Sequence, residues 1–246
     1  MLNTLLKIHK RRRKALEYGR VSYSTFLKNF CHPKFKIVSF DIFDTVVFRR
    51  SGAPESIFDL MGFQLSFLDF YRDFPAELRT QFRHHRVLAE RAVVMRLKPE
   101  GAGLLDIYDH LARDFHLETW QKEALINLEI NQEMENLTAV TEIKNLLPMI
   151  RERGQKVIFV SDMYLSRTIL KDILTKNEIL AKNERIYVSC EYLKTKREGG
   201  LYDIVLQEEN CSPENIIHLG DNFYTDVHMG RTRRIACFHY LKTGFN

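Results

Sequence analysis

Only four cysteines are spread over 246 residues, Cys31, Cys190, Cys211 and Cys237, and no two of them stand as a C-x-x-C pair. That spacing excludes a paired-cysteine zinc clip and a disulfide framework, and it suits a reducing compartment. Glycine and proline are sparse, at 11 and 6, whereas hydrophobic residues reach 45% and phenylalanine alone contributes 17. A low-complexity, fibrous or disordered chain is thereby excluded and a packed globular protein expected. No apolar run approaches the roughly 18 residues of a membrane span, and the opening MLNTLLKIHKRRRK lacks the order and the cleavage site of a secretory signal. A cytoplasmic protein is expected. The length calls for one α/β core with a substantial insertion, or two modest domains.

Charge is unevenly placed. Residues 1–36 hold ten Lys/Arg against the single acid Glu17, whereas the remainder carries 27 Lys/Arg and 31 acids. The net charge of +5 and the pI of 8.9 therefore describe a basic segment attached to a mildly acidic domain, which gives no ground for a nucleic-acid partner. Leu2, Leu5, Leu6 and Ile8 precede the basic run Lys10 to Lys14, and Pro33 closes the region. The segment reads as a solvated basic helix or a linker, with a membrane surface or an acidic partner as the functional alternative.

Residues 36–48 form a short apolar stretch that suits a strand buried on both faces and delivers Asp41 at its carboxyl end. Val157–Ser161, Ile186–Ser189 and Ile216–Gly220 repeat that design among helical stretches, and Ile235–Tyr240 adds a last strand. The alternation predicts crossover units in a parallel sheet. A helix over Ile143–Arg153 stops at Gly154, and Gly199-Gly200 mark a turn before a helix over Leu201–Gln207. More than a hundred residues separate the first two strands, with helices expected near Pro75–Leu97, Leu104–Phe115 and Trp120–Glu135. A crossover needs only about a dozen residues, so most of this stretch is an inserted helical module. The expected division is a basic segment at 1–36, an α/β core at 37–50 and 140–246, and a helical cap at 51–139.

Ligands of open parallel sheets bind outside the carboxyl ends of the strands, where Asp41, Ser161 and Asp221 would project. The order Asp41-x-x-x-Thr45, then Ser161, then Lys196, then Gly220-Asp221-x-x-x-x-Asp226 resembles the four motifs of the haloacid-dehalogenase-like superfamily, over roughly residues 36–240. Lys194 stays open as an alternative to Lys196. Ser39-Phe-Asp-Ile-Phe-Asp-Thr45, Ser161-Asp-Met-Tyr164 and His218-Leu-Gly-Asp-Asn222 look more narrowly like the hydrolase-like proteins associated with glycosyltransferases in surface-polysaccharide systems.

Three acids, Asp41, Asp221 and Asp226, would repel one another unless a divalent cation neutralised them, and hard Mg²⁺ suits oxygen ligands. The resemblance implies a three-layer fold with a helical cap, Asp41 as nucleophile, and Mg²⁺ held by Asp41, the Phe43 carbonyl and Asp221. Asp226 would hold the ion through water or orient Lys196. It also implies a cradle of Ser161, Asp162 and Lys196 for a small phosphorylated substrate, Thr45 as brace of the nucleophile loop, and an aspartyl-phosphate intermediate. Association with a membrane surface or a glycosyltransferase through the basic N-terminus belongs to the same expectation.

The pattern departs from many phosphatases of the superfamily at Phe43, where a second Asp commonly serves as general acid. An aromatic cannot protonate a departing alcohol, and such transfer is typically worth about 10²- to 10⁴-fold. Asp44 faces away if the chain is extended there, and Asp162 reads equally as a capping carboxylate. The haloacid dehalogenases have an aromatic at that place and release a halide without a proton, but they work without metal. Dehalogenation and a weakly catalytic phospho-ligand module are therefore the alternatives to phosphatase. Glu129 and Glu133, at i and i+4 on a cap helix, read as an exposed acidic face paired with bases. His84, His85 and His218 read as structural or surface residues.

Overall fold

The protein is described by a computed structural model over residues 23–98 and 101–240, with side chains from 27 onward. The expectations for residues 1–22, including the leucine and lysine/arginine run, lie outside the described residues.

A five-stranded parallel sheet carries the core, in the order β5 (Arg185–Val188), β4 (Lys156–Ser161), β1 (Ile37–Phe40), β6 (Ile216–Gly220) and β7 (Ala236–His239). Every residue of β1 is buried, because the strand lies between two neighbours and under helices on both faces. Alternate residues sort between those faces. Val38, Phe40, Phe159 and Leu219 join the core that includes helices Thr141–Glu152 and Arg167–Lys176, whereas Ile37, Ile158 and Val160 meet Leu201, Tyr202 and Val205 of the helix Gly200–Glu208. Each fully buried side chain of this size contributes about 1.5–3 kcal/mol, so the register of the strands is strongly fixed. Gly154 takes the left-handed backbone (φ 73°) after Thr141–Glu152, as the helix stop requires.

A short antiparallel pair forms the stem of the insertion: β2 (Val47–Arg49) against β3 (Leu137–Ala139), with Arg49 opposite Leu137. Helices Ser56–Phe67, Ala76–Thr80, Phe82–Leu97, Leu104–Asp114 and Thr119–Asn136 lie between these strands. The sequence predicts one helix near Pro75–Leu97. The chain instead breaks at Gln81, which leaves helical backbone at φ −126°, ψ 31°. The prediction also omits Ser56–Phe67, whose buried Ile57, Phe58, Met61 and Leu65 are masked by exposed Phe63 and Phe67 on the same helix. Three-residue strands such as β3 are too short to display an alternation.

The largest correction concerns Glu129 and Glu133. Both are paired with bases, but they are buried rather than exposed. Glu129 accepts from Arg86 Nε (2.8 Å) and Nη2 (2.9 Å) and from the Tyr108 hydroxyl (2.6 Å), and Arg86 is itself fully buried with its guanidinium 4.6 Å over the Phe58 ring. Glu133 accepts from Arg49 Nε and Nη2, the latter at 2.7 Å, which ties the last turns of a cap helix to the stem. Among the described residues, no helix is long and apolar enough to cross a membrane.

Candidate active site

Asp41 follows β1 directly, and its N–H donates to Leu219 O at 2.8 Å, so the ladder to β6 fixes the backbone of the carboxylate at the sheet's carboxyl edge. The chain then folds back sharply. Val46 and Val47 N–H both donate to Ile42 O, Asp44 N–H donates to Val47 O, and Asp44 takes a left-handed φ of 57°. None of these bonds ends on the carbonyl of Phe43, the oxygen expected to act as a ligand. Thr45, fully buried, donates to Asp41 Oδ2 at 3.2 Å and accepts from Asp221 N–H at 3.1 Å. One hydroxyl thus ties the first acidic loop to the last.

Lys196 is buried and donates to Asp41 Oδ1 at 2.5 Å and to Asp226 Oδ1 at 2.7 Å, whereas Lys194 is exposed. Of the two lysines, Lys196 is the one that reaches Asp41 and Asp226. The loop that delivers Lys196 is clamped by Asp162, whose two carboxylate oxygens accept from the N–H groups of Lys196 (2.7 Å) and Arg197 (3.2 Å). Asp162 therefore caps this loop, the structural alternative for it, and its carboxylate is engaged before any phosphate or leaving group arrives. Gly199 nearby takes a left-handed backbone at φ 81°, which favours glycine.

Asp226 is fully buried under the end of β6, within a π-helical turn over Phe223–His228. Its Oδ2 accepts from Asn222 N–H at 2.9 Å, and a Cβ on Gly220 would fall 2.3 Å from its Cγ, so only glycine lets this carboxylate pack there. His218, also fully buried, lies 3.4 Å from Asp226 Oδ1 through Nε2 and 2.8 Å from Ser39 Oγ through Nδ1. Ser39 and His218 are cross-strand partners of β1 and β6. His218 is thus a structural residue, as expected, but one that positions a site acid. Its place inside an apolar strand gave no sign of that contact. Ser161 is buried at the end of β4, on the same cavity wall as Asp41.

The electrostatics are those of a site short of positive charge. Burial, followed by Asp226 and Asp221 acting against Lys196, raises Asp41 to about 8. Burial together with Asp226 and Asp44 raises Asp221 to about 6. Burial alone would raise Asp226 too, yet the Lys196 ammonium and the His218 contact bring it below the ordinary carboxylate range. Burial would strip Lys196 of its proton, but Asp226 and Asp41 outweigh it and hold the ammonium charged. Burial lowers His218 and keeps it neutral. Three carboxylates thus face one ammonium, and the surplus negative charge matches a divalent cation.

Geometry agrees. One oxygen each of Asp41, Asp221 and Asp226 lies within 4.8 Å of the others. Octahedral Mg²⁺ at about 2.0–2.1 Å sets opposite ligand oxygens about 4 Å apart, so small side-chain rotations would close this set on one ion.

Above the acids lies a cavity of about 580 Å³ between core and cap, within the usual range for small-molecule sites. Its walls include Phe43, Asp44 and Arg49 from the loop and stem, Phe58 and Arg91 from the cap, and Lys196 and Arg197 from the core. The Phe43 ring carries the Arg49 guanidinium 4.7 Å from its centroid. Sequence reasoning did not single out Arg49 or Arg86, because their partners Glu133 and Glu129 lie far along the chain, nor Arg91, whose place on the cavity wall shows only in the fold.

No family model matches the sequence, and no curated protein is similar to it. Solved structures share the fold. A 2-haloacid dehalogenase from Pseudomonas syringae pv. Tomato superposes with a TM-score of 0.61 at 12% identity, over 86% of this chain and 89% of that one. A phosphatase of the haloacid-dehalogenase-like group from Thermococcus onnurineus gives 0.58 at 13%, over 86% and 89%. An enzyme of the same group from Bacteroides thetaiotaomicron, solved with magnesium and inorganic phosphate, gives 0.57 at 13%, over 86% and 96%. At such identities the likeness establishes a haloacid-dehalogenase-like fold and leaves the chemistry to the site.

Proposed function

We propose that the protein is a Mg²⁺-assisted hydrolase of small phosphate esters, with Asp41 as its nucleophile. The observation that carries this reading is the buried Lys196 ammonium shared between Asp41 and Asp226, with Asp221 close enough to complete a three-acid cation site. Asp41, Asp221 and the Phe43 carbonyl would hold the ion, with Asp226 beside it. Bound there, the cation supplies charge neutralisation for the phosphoryl oxygens and for the attacking carboxylate.

Lys196, whose ammonium touches Asp41 and Asp226, adds a second positive charge, which lets one anion approach another. An Asp41 carboxylate oxygen attacks phosphorus, the bond to the leaving oxygen breaks, and an aspartyl-phosphate forms. Water then attacks that phosphorus, the acyl-phosphate P–O bond breaks, and the Asp41 carboxylate and inorganic phosphate are released. Thr45 holds the second oxygen of Asp41 and so orients the first. Ser161, at the end of β4, donates to the phosphoryl group. Asp226, fixed by Asn222 and His218, holds Lys196 in place.

The leaving oxygen is the weak point. Phe43 offers no proton and Asp162 is engaged by backbone N–H groups, which leaves Asp44 on the cavity wall and water as proton sources for the leaving alkoxide. With Mg²⁺ present, 4-nitrophenyl phosphate should therefore be hydrolysed faster than an alkyl phosphate by about 10²-fold or more, and Asp41→Asn should abolish both. Equal turnover of the two esters would reveal a competent acid, and activity surviving in Asp41→Asn would remove Asp41 from its role. The narrower resemblance in the sequence suits a phosphorylated sugar as natural substrate.

The aromatic at Phe43 favours one second reading, release of a halide, which needs no proton. The surplus of carboxylates weighs against it, since a halide-releasing site has no charge of that size to neutralise. Halide release from 2-chloropropionate without Mg²⁺ would reverse the preference.

A further inference from the structure

Outside the acid cluster, the cavity wall carries three guanidinium groups, Arg49, Arg91 and Arg197. Each comes from a different part of the fold: the stem strand β2, the cap helix Phe82–Leu97, and the loop that delivers Lys196. Phosphoryl transfer as described above uses none of them.

Arg91 lies on the helix face that also gives the cavity Val87, Glu90 and Val94, the i, i+3, i+4, i+7 spacing of one stripe. Glu90 is occupied, since its Oε2 accepts from Arg86 Nη1 at 2.9 Å. Arg91 forms no ion pair among the described residues. Arg197 forms none either; its guanidinium rests 5.8 Å over the Tyr224 ring, and only its backbone N–H is engaged by Asp162. Arg49 is buried and paired with Glu133 through Nε and Nη2, which leaves Nη1 as the edge of the fork available to the cavity. The remaining cap carboxylate on the wall, Glu55, stands at the N-terminus of helix Ser56–Phe67, where the helix dipole offsets its charge.

We infer that these guanidinium groups form a second anion subsite, so that the substrate is a phosphate ester whose leaving portion carries a further carboxylate or phosphate. The inference rests on the phosphatase reading for the identity of the transferred group. Its own content is the charge of the part left behind. Guanidinium groups are suited to it because their planar forks match the oxygens of carboxylate and phosphate alike. Phe43, Phe58 and Val87 also line the cavity and fit an apolar or ring-shaped middle of such a ligand.

The test measures binding, so that it does not depend on turnover. Full-length Asp41→Asn protein with Mg²⁺ is titrated calorimetrically with phenyl phosphate, 4-carboxyphenyl phosphate and 4-phosphonophenyl phosphate. Both doubly anionic probes should bind at least about tenfold more tightly than phenyl phosphate, and the better of the two identifies whether the natural group is a carboxylate or a phosphate. Arg91 and Arg197 are exposed, so the double variant Arg91→Gln/Arg197→Gln keeps the fold, and in it the tenfold ratio should shrink to about twofold or less.

Three equal affinities, or a ratio that persists in the double variant, would overturn the subsite. The phosphatase reading is scored separately, by release of phosphate from 4-nitrophenyl phosphate by the unmodified protein.

Discussion

Asp41, the proposed nucleophile, carries the least favourable charge of the acid cluster. Its carboxyl is raised to about 8 chiefly by burial, with Asp226 and Asp221 adding repulsion, so in the absence of a cation the folded state resists its ionisation. Asp41→Asn removes that penalty while its amide oxygen can still accept from Lys196. The variant should be inactive yet more stable than the parent at pH 8 without metal, by about 3 °C or more in Tm, as read by thermal denaturation. An unchanged or lower Tm would mean that the acid cluster is not short of positive charge. The residues proposed for the chemistry stand in the sequence motifs: Asp41, Asp221 and Asp226 lie together in space, with Lys196 rather than Lys194 beside Asp41 and Asp226. Residues that act by holding another were legible only in part: Thr45 stands within a motif, whereas the partners of His218 and Asp162 do not show in the sequence. His218 looks like any polar residue in a buried strand until Asp226 is placed 3.4 Å from it, and Asp162 shows its loop-clamping role only when the backbone of Lys196 is seen to lie against it.

Between elements, the cap is held internally and to its stem by ion pairs rather than by apolar contact alone. Arg86 and Glu129 are 43 residues apart and both fully buried, and Arg49 and Glu133 are 84 apart and nearly so. Acids at i and i+4 of a helix imply by themselves only a charged stripe; burial follows from partners supplied by other helices, and spacing within one helix carries no record of them. The strands were legible because a parallel sheet buried on both faces demands continuous apolar runs, whereas β2 and β3 are too short to show a period and helix Ser56–Phe67 carries apolar residues on its exposed face as well as its buried one. A buried pair broken on one side leaves an uncompensated charge and costs about 3–5 kcal/mol. Glu129→Ala should accordingly lower Tm by about 6 °C or more. Replacing both partners, as Arg86→Met/Glu129→Leu, should recover most of that loss. A double variant no more stable than the single one would show that the pair is not the source of the effect.

For the whole molecule, these electrostatics make stability depend jointly on pH and on the cation. Asp41 and Asp221 are raised in the folded state, to about 8 and about 6, whereas in the unfolded chain both ionise near 3.8. Above pH 4 the folded protein therefore holds more protons than the unfolded one, and stability without metal should fall as pH rises from about 4 to about 8. Asp226 has the opposite sign, because the Lys196 ammonium and the His218 contact lower it against burial; its contribution is present above pH 4 and lost only in stronger acid. A divalent cation binds the ionised carboxylates, so its stabilising effect must grow over the window in which the metal-free protein weakens. At a hundredfold excess over its dissociation constant such an ion adds about 2.7 kcal/mol, or about 5–10 °C in Tm for a chain of this size. Thermal scans with and without Mg²⁺ should show a gain of that order at pH 8 and less than about 2 °C at pH 5, and Asp221→Asn should flatten the difference. A gain independent of pH would place the bound ion somewhere other than among Asp41, Asp221 and Asp226.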